Sequence, residues 1–234
     1  MECLRGKRTF TMNRSELLGA AKTFRGVHLD LGTGDGRYAC AIARKAPDYF
    51  SIGIDACREN LRRPSRRAPG NALFVIANAL CLPRELEGLA SRVSILFPWG
   101  SLLNSMLNAD PALLRGLCMA TGYRASIEVW VNAGAMAECG WGLEPGTERV
   151  RATLATAGFV TEQAQKLQSG EVLRLPSTWA KRLMYGRDPR VLAFSGQRQP
   201  PAGLAEGEGC QFAGALPRSG HWELNESSST VSGR

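Results

Sequence analysis

Histidine is almost missing from this chain: His28 and His221 are the two in 234 residues. So few argue against a histidine-based catalytic triad or a histidine-rich metal site. Cysteine is present but unpatterned. Seven residues are scattered at positions 3, 40, 57, 81, 118, 139 and 210, an odd count with no C-x-x-C pair. Reduced thiols in a cytoplasmic protein fit this better than a disulfide framework or a zinc site. No run approaches the roughly 18 apolar residues that a membrane span needs. The opening "MECLRGKRTFTMNRSELL" is charged throughout and lacks an apolar signal core. No internal repeat is visible. A soluble, cytoplasmic protein with no metal and no membrane partner is expected.

The hydrophobic fraction, 44%, is enough for a sizeable core, and 234 residues fit one large α/β domain or two small ones. Net charge is +8 and the isoelectric point about 9.4. A polyanionic partner and a basic but otherwise ordinary globular protein are equally compatible with that charge.

Apolar runs alternate with helical spacing. Residues 27–31, 50–55, 72–77, 93–97 and 126–131 read as strands, and 159–167 and 190–196 as further candidates. Helical patterns cover 37–46, 57–63 and 146–159, the last with Gly158 as its stop. Asp110-Pro111 reads as an N-cap with proline at N1, opening a helix through about Met119. His28 falls inside the first strand and reads as a satisfied structural histidine. Such alternation implies a mostly parallel sheet covered on both faces. From residue 197 the chain turns rich in Gly, Pro and Ser, and 197–234 reads as a disordered tail.

The first strand runs into "DLGTGDG". Glycines 32, 34 and 36 follow G-x-G-x-G spacing, and Asp30 precedes the first by two residues. A pyrophosphate favours a helix N-terminus free of carboxylates. A cationic ligand without phosphate welcomes them, and S-adenosylmethionine (SAM), with its sulfonium and ammonium, is such a ligand. Asp55 ends the second strand, where an acid takes both ribose hydroxyls in doubly wound sheets. Gly32 and Gly34 then let the backbone approach the ligand. The combined pattern resembles class I SAM-dependent methyltransferases.

Two further stretches bear on the methyl acceptor: "LFPWGSLL" (96–103) and "LPSTWAKRLMYGRDPR" (175–190). Phe97-Pro98-Trp99 follows the fourth strand without the Asn or Asp of exocyclic-amine methyltransferases. The second stretch reads as a short helix capped by Ser177, with Trp179 and Leu183 on one face. Lys181, Arg182 and Arg187 add charge beside that tryptophan. Indoles stack on bases and basic side chains contact phosphates, although either tryptophan alone is as easily a core residue. "RENLRRPSRR" adds Arg62, Arg63, Arg66 and Arg67, which read as a solvated face or, by their arginine bias, as a phosphate surface.

Together, "HLDLGTGDGR", "IGID…REN", "ILFPWGSLL" and "WAKRL…GR" resemble the aminoglycoside-resistance 16S ribosomal RNA adenine-N1 methyltransferases, the Kam family, over residues 3–196. The resemblance implies a Rossmann-like, doubly wound sheet of seven mostly parallel strands with one antiparallel strand. It implies an N-terminal extension over 1–26, a hairpin or helix packing on the core, before a SAM domain at 27–196. It implies methylation of N1 of adenine 1408 in helix 44 of 16S rRNA, within the 30S subunit, by a monomer. That product blocks kanamycin- and apramycin-type drugs. Asp30, Gly32, Gly34, Asp55, Ala79, Leu80, Leu96, Ser101 and Ser177 would bind SAM. Trp99 and Trp179 would sandwich the flipped adenine, and Arg62, Arg63, Arg66, Arg67, Lys181, Arg182 and Arg187 would hold the RNA. Leu80 stands where the family often has a glutamate near the adenine ring of SAM. A methyltransferase acting on another RNA, such as guanine N7 of transfer RNA, is the alternative.

Overall fold

The computed structural model describes residues 1–200; from residue 201 onward the expected tail lies outside the described residues. Strands β1 (Glu2–Arg5) and β2 (Arg8–Thr11) and helix α1 (Arg14–Ala21) come first. Next come β3 (Gly26–Leu31), α2 (Arg37–Lys45), β4 (Tyr49–Asp55), α3 (Arg58–Arg66) and β5 (Ala72–Ile76). The chain continues through β6 (Ala90–Leu96), α4 (Gly100–Leu107), α5 (Pro111–Ala120) and β7 (Thr121–Asn132). Then follow α6 (Ala133–Glu138), α7 (Leu143–Thr156), β8 (Phe159–Thr161), β9 (Gln165–Lys166), α8 (Ser169–Arg174), α9 (Thr178–Gly186) and β10 (Val191–Arg198).

One sheet runs in the order β2-β1-β5-β4-β3-β6-β7-β10-β8, with β9 also paired to β10. From β5 to β7 all neighbours are parallel. β10 is antiparallel to β7, and β1 is antiparallel to β5. Every residue of β3 is buried, as a parallel strand covered on both faces requires.

The doubly wound architecture is as expected, but the sheet has ten strands among the described residues rather than seven. The N-terminal hairpin accounts for two, because β1 pairs with β5 and extends the sheet edge. Segment 159–167 supplies two short strands instead of one, since Glu162-Gln163-Ala164 between them has no alternating apolar face to hold a register. β10 runs to Arg198, so Gln197 and Arg198 belong to the sheet and not to the expected tail. α7 begins at Leu143, three residues early; a proline at position 145 is tolerated in a first helical turn, and Glu144 suits its positive end. Gly158, at φ +80°, ends that helix as expected. α5 opens as the sequence indicates, with Asp110 Oδ1 accepting the Ala112 N–H at 2.7 Å.

Strand order reverses between β3 and β6, and in open α/β sheets ligands bind outside the carboxyl ends of the strands at that point. The glycine turn leaves β3 there. Its third glycine serves the fold: at Gly36 (φ +63°) a Cβ would come within 2.5 Å of Phe74 Cε1 and 2.8 Å of Pro64. At Gly34 (φ +54°) the nearest atom to such a Cβ is the Gly32 carbonyl oxygen, 4.0 Å away. Gly36→Ala is therefore expected to lower unfolding stability by about 2–5 kcal/mol, combining left-handed strain and overpacking. Gly34→Ala should cost only the strain, about 1–2 kcal/mol. Urea denaturation of both variants measures the difference, and equal losses would refute the distinction.

Candidate active site

The carboxyl ends of β3 and β6 open into a cavity of about 370 Å³. Asp30, Gly32, Gly34, Leu96, Ser177, Trp179 and Arg182, all picked out from sequence, line it. Thr33, Asp35, Tyr38, Asn60 and Thr178 line it too and were missed. Thr33 and Asp35 lie inside the glycine motif, so a fuller reading of "GTGDG" would have found them. Asn60 and Thr178 depend on how α3 and α9 pack, which no local pattern encodes.

Asp30 is almost fully buried. Ser94 Oγ donates to its Oδ1 at 2.6 Å, and the Thr33 hydroxyl donates to Oδ2. His28 lies behind them, with Nε2 2.9 Å from Ser94 Oγ and Nδ1 3.0 Å from Ser51 Oγ. Ser94 gives its proton to Asp30, so it accepts from His28 Nε2–H, and Nδ1 accepts from Ser51. Burial, aided by the Arg92 charge, pushes the imidazole down to about 3, so it stays neutral. His28 is thus the satisfied structural histidine that its strand position suggested. Burial likewise pushes the Asp30 carboxyl up to about 6, against the two hydroxyl hydrogen bonds and with help from nearby Asp35 and Asp55.

Asp55 is not a cavity wall residue. Its Oδ2 accepts the Gly34 N–H at 2.9 Å, and its Oδ1 accepts from Cys57 N at 2.8 Å and Asn60 Nδ2 at 3.4 Å. A carboxylate has about four acceptor positions, so one on Oδ2 stays open for a ligand hydroxyl. Ala79 and Leu80 sit in the loop after β5, partly buried against the core, and neither lines the cavity. Ser101 is exposed on α4 and also lies off the cavity wall.

Trp99 and Trp179 come together: their ring centroids are 5.5 Å apart with planes at 37°. The Arg187 guanidinium lies 5.2 Å from both rings, and Arg182 lies 5.8 Å from Trp179. The turn holding Trp99 is bent sharply. Phe97 adopts φ +54°, rare for a bulky side chain. Its N–H donates to the Trp130 carbonyl at 2.8 Å, and its ring meets the Trp130 ring edge-on at 5.9 Å. Lys181 is exposed on the same helix as Trp179. Arg62, Arg63, Arg66 and Arg67 line a separate concavity of about 290 Å³ at the end of α3. The N-terminal hairpin braces that helix, with the Gly6 N–H donating to Ser65 Oγ at 2.9 Å and Arg5 to the Ala68 carbonyl at 3.0 Å.

The arrangement separates two electrostatic zones. Asp30 and Asp35 line the cavity on the side of the glycine turn, which suits a small cationic ligand, and Arg182 and Arg187 lie with the paired indoles on the α9 side, which suits a nucleobase on a phosphate backbone. The backbone approach at Gly34, the buried Asp30 and the open acceptor on Asp55 fit SAM. No helix among the described residues is long and apolar enough to cross a membrane.

Residues 2–198 match the family described as NpmA, 16S rRNA (adenine(1408)-N(1))-methyltransferase. A 16S rRNA (adenine(1408)-N(1))-methyltransferase of Escherichia coli is 33% identical over 214 residues, covering 84% of this chain and 98% of that protein. The crystal structure of the 16S rRNA methyltransferase KamB matches with a TM-score of 0.77 at 29% identity, covering 86% of this chain and all of that one. A 16S rRNA (adenine(1408)-N(1))-methyltransferase variant from Catenulisporales acidiphilia, solved with cosubstrate SAM, shares the fold at TM-score 0.76 and 23% identity, over 88% of this chain and all of that one. By contrast, a tRNA (guanine-N(7)-)-methyltransferase of Synechococcus is 39% identical over only 77 residues, 30% of this chain and 32% of that protein.

Ionised Asp30 attracts a cationic ligand and protonated Asp30 does not, so binding favours the deprotonated form. SAM affinity should be constant above pH about 7 and fall about tenfold per unit as pH drops through the Asp30 value of about 6. Calorimetric titration from pH 5 to 8 tests this. Asp30→Asn should bind SAM at least about tenfold more weakly at pH 7.5 and lose the pH dependence. A flat profile for the unmodified protein would remove Asp30 from the binding site.

Proposed function

The chain belongs to the family of 16S rRNA (adenine(1408)-N(1))-methyltransferases, and we propose that it methylates N1 of adenine 1408 in helix 44 of 16S rRNA within the 30S subunit. The cell that expresses it becomes resistant to kanamycin- and apramycin-type aminoglycosides. The observation that carries this reading is the Trp99–Trp179 pair, with Arg187 over both rings and Trp179 itself a wall of the acid-lined cavity. It acts as a cytoplasmic monomer without a metal, and residues 27–198 form its methyltransferase domain with 1–26 as an extension.

SAM supplies an activated methyl group on a sulfonium centre. Asp30 receives the cationic end of the donor, the open position on Asp55 Oδ2 one ribose hydroxyl, and the Gly32–Gly34 backbone and Leu96 hold it between them. Ser177, at the start of α9, closes the site over the donor. Ala79, Leu80 and Ser101, off the cavity wall, are given no contact with the donor.

A flipped base between two indoles needs ring centroids about 7 Å apart, twice the roughly 3.4 Å stacking rise. The pair therefore opens by about 1.5 Å from its 5.5 Å separation. Extruding the base costs a few kcal/mol, and stacking on Trp99 and Trp179 offsets it at about 1–3 kcal/mol per face. The N1 lone pair lies in the ring plane and needs no general base. It forms the new N–C bond as the carbon–sulfur bond breaks and its electron pair stays on sulfur. Positive charge then grows on the adenine ring, and the flanking indole faces attract it more strongly as it does. Arg182, Arg187 and Lys181 at the mouth, and the arginines at 62, 63, 66 and 67 on α3, hold the RNA backbone. The short partial match to a tRNA methyltransferase leaves transfer RNA a weaker second reading.

N1 methylation blocks Watson–Crick pairing and stops reverse transcriptase. Primer extension on 16S rRNA from bacteria expressing the protein should show a new stop at adenine 1408, together with growth on kanamycin and apramycin. Trp99→Ala, at the member of the pair that does not line the donor cavity, should lower kcat/KM on 30S subunits by roughly 5- to 150-fold, matching one lost stacking face. Its SAM affinity should stay within about threefold. Absence of the stop from well-expressed protein, or equal losses in turnover and SAM affinity, would defeat the reading.

A further inference from the structure

The glycine turn and the helix bearing Trp179 are joined by a hydrogen bond that spans 143 residues of sequence: the Thr178 N–H donates to Asp35 Oδ2 at 3.2 Å. Asp35 is held on its own side as well. Its Oδ1 accepts the Arg37 N–H at 3.3 Å, and the Arg37 guanidinium lies 3.4 Å from Oδ2. Both residues of the cross-link line the cavity, so a molecule bound there touches the turn and the helix start at once. On the helix side, Ser177 Oγ accepts the Trp179 N–H at 3.2 Å, so the first two amides of α9 are both committed. Ala180 and Leu183 anchor the helix from beneath. Trp179 is the residue immediately after the cross-link, and its ring rests on Trp99.

We propose that Asp35 is a positioning residue that couples occupancy of the donor cavity to the aromatic clamp, by tying the glycine turn to the N-terminus of α9. A filled cavity fixes the turn, the fixed turn holds Thr178, and the held helix start sets the plane of Trp179 for the incoming base. Coupling of this kind is reciprocal: the donor tightens the RNA substrate by the same factor as the substrate tightens the donor. The identity of donor and substrate rests on the function proposed above; the mechanical link between turn and helix does not.

Thr178 occupies N1 of α9, the helical position that best accepts proline, and Ser177 before it has φ −133° and ψ 136°, the extended region that a residue preceding proline adopts. Thr178→Pro thus deletes the one donor N–H and leaves the helix intact. S-adenosylhomocysteine is the probe, hydrogen exchange of the amides in 179–186 is the first readout, and affinity for 30S subunits with and without the probe is the second. In the unmodified protein the probe should slow exchange across 179–186 and tighten 30S binding at least about fivefold. In Thr178→Pro the probe should still protect the glycine turn, while protection of 179–186 disappears and the 30S factor falls to about one. Asp35→Asn keeps an acceptor oxygen and should retain the coupling that Asp35→Ala loses, a comparison that stands if Thr178→Pro does not fold. Equal protection of α9 in the unmodified protein and Thr178→Pro, or none in either, overturns the link. Protein that methylates adenine 1408 while α9 ignores the probe defeats the link and leaves the function standing. Protection of α9 without methylation supports the link and defeats the substrate assignment.

Discussion

A carboxylate buried at the point where strand order reverses constrains everything around it. Asp30 is sealed in the sheet, so its two oxygens must find donors within the fold, and Ser94 and Thr33 provide them. Ser94 can do so because β6 runs parallel beside β3 in the register that sets Asp30 opposite Ser94. The imidazole of His28 orients that serine from behind and is itself oriented by Ser51 on β4. Three adjacent strands are thereby pinned in register by one polar chain in an otherwise apolar layer. An unpaired buried charge is costly, and on the function proposed above the cationic donor lowers that cost.

Outward from this carboxylate the sign of the charge reverses. Asp30, Asp35 and Asp55 cluster about the glycine turn, and the arginines begin at the mouth of the cavity. Trp99 and Trp179 stand at the boundary between the zones. Each is set there by a different device: Trp99 by a left-handed Phe97 gripped by Trp130, Trp179 by a capped helix start. A fold that holds one ligand by negative charge and another by positive charge needs such a divider, or the two fields would cancel over the reacting atoms.

Much of this was legible in the chain because it is local. Alternating apolar runs gave the parallel strands, and Asp110-Pro111 and Ser177 announced their helices by capping chemistry. The acid-plus-glycine pattern singled out the donor turn because backbone approach and carboxylate placement are written in adjacent residues. The resemblance implied an N-terminal hairpin or helix, but not its place in the sheet: the hairpin of Glu2–Arg5 and Arg8–Thr11 joins through long-range pairing with β5, and its sequence carries no periodicity longer than four residues. Asn60 and Thr178 were invisible as wall residues for the same reason, since their place depends on how two distant helices dock. Ala79, Leu80 and Ser101 were named through family resemblance, and they are not among the residues that line the cavity.

The contact between the two indoles also acts as a threshold for selectivity. Closed against each other, the rings shield one face apiece from water and form an interaction worth about 0.5–1.5 kcal/mol. A visitor gains entry only by exchanging that one contact for two of its own, which demands a flat ring exposed on both sides. A base still stacked in a helix, or a side chain that offers a single face, makes a poor exchange and leaves the gate shut. On the function proposed above, the clamp would screen for extrusion itself, admitting a nucleotide that has left its neighbours before any of its edge atoms are read.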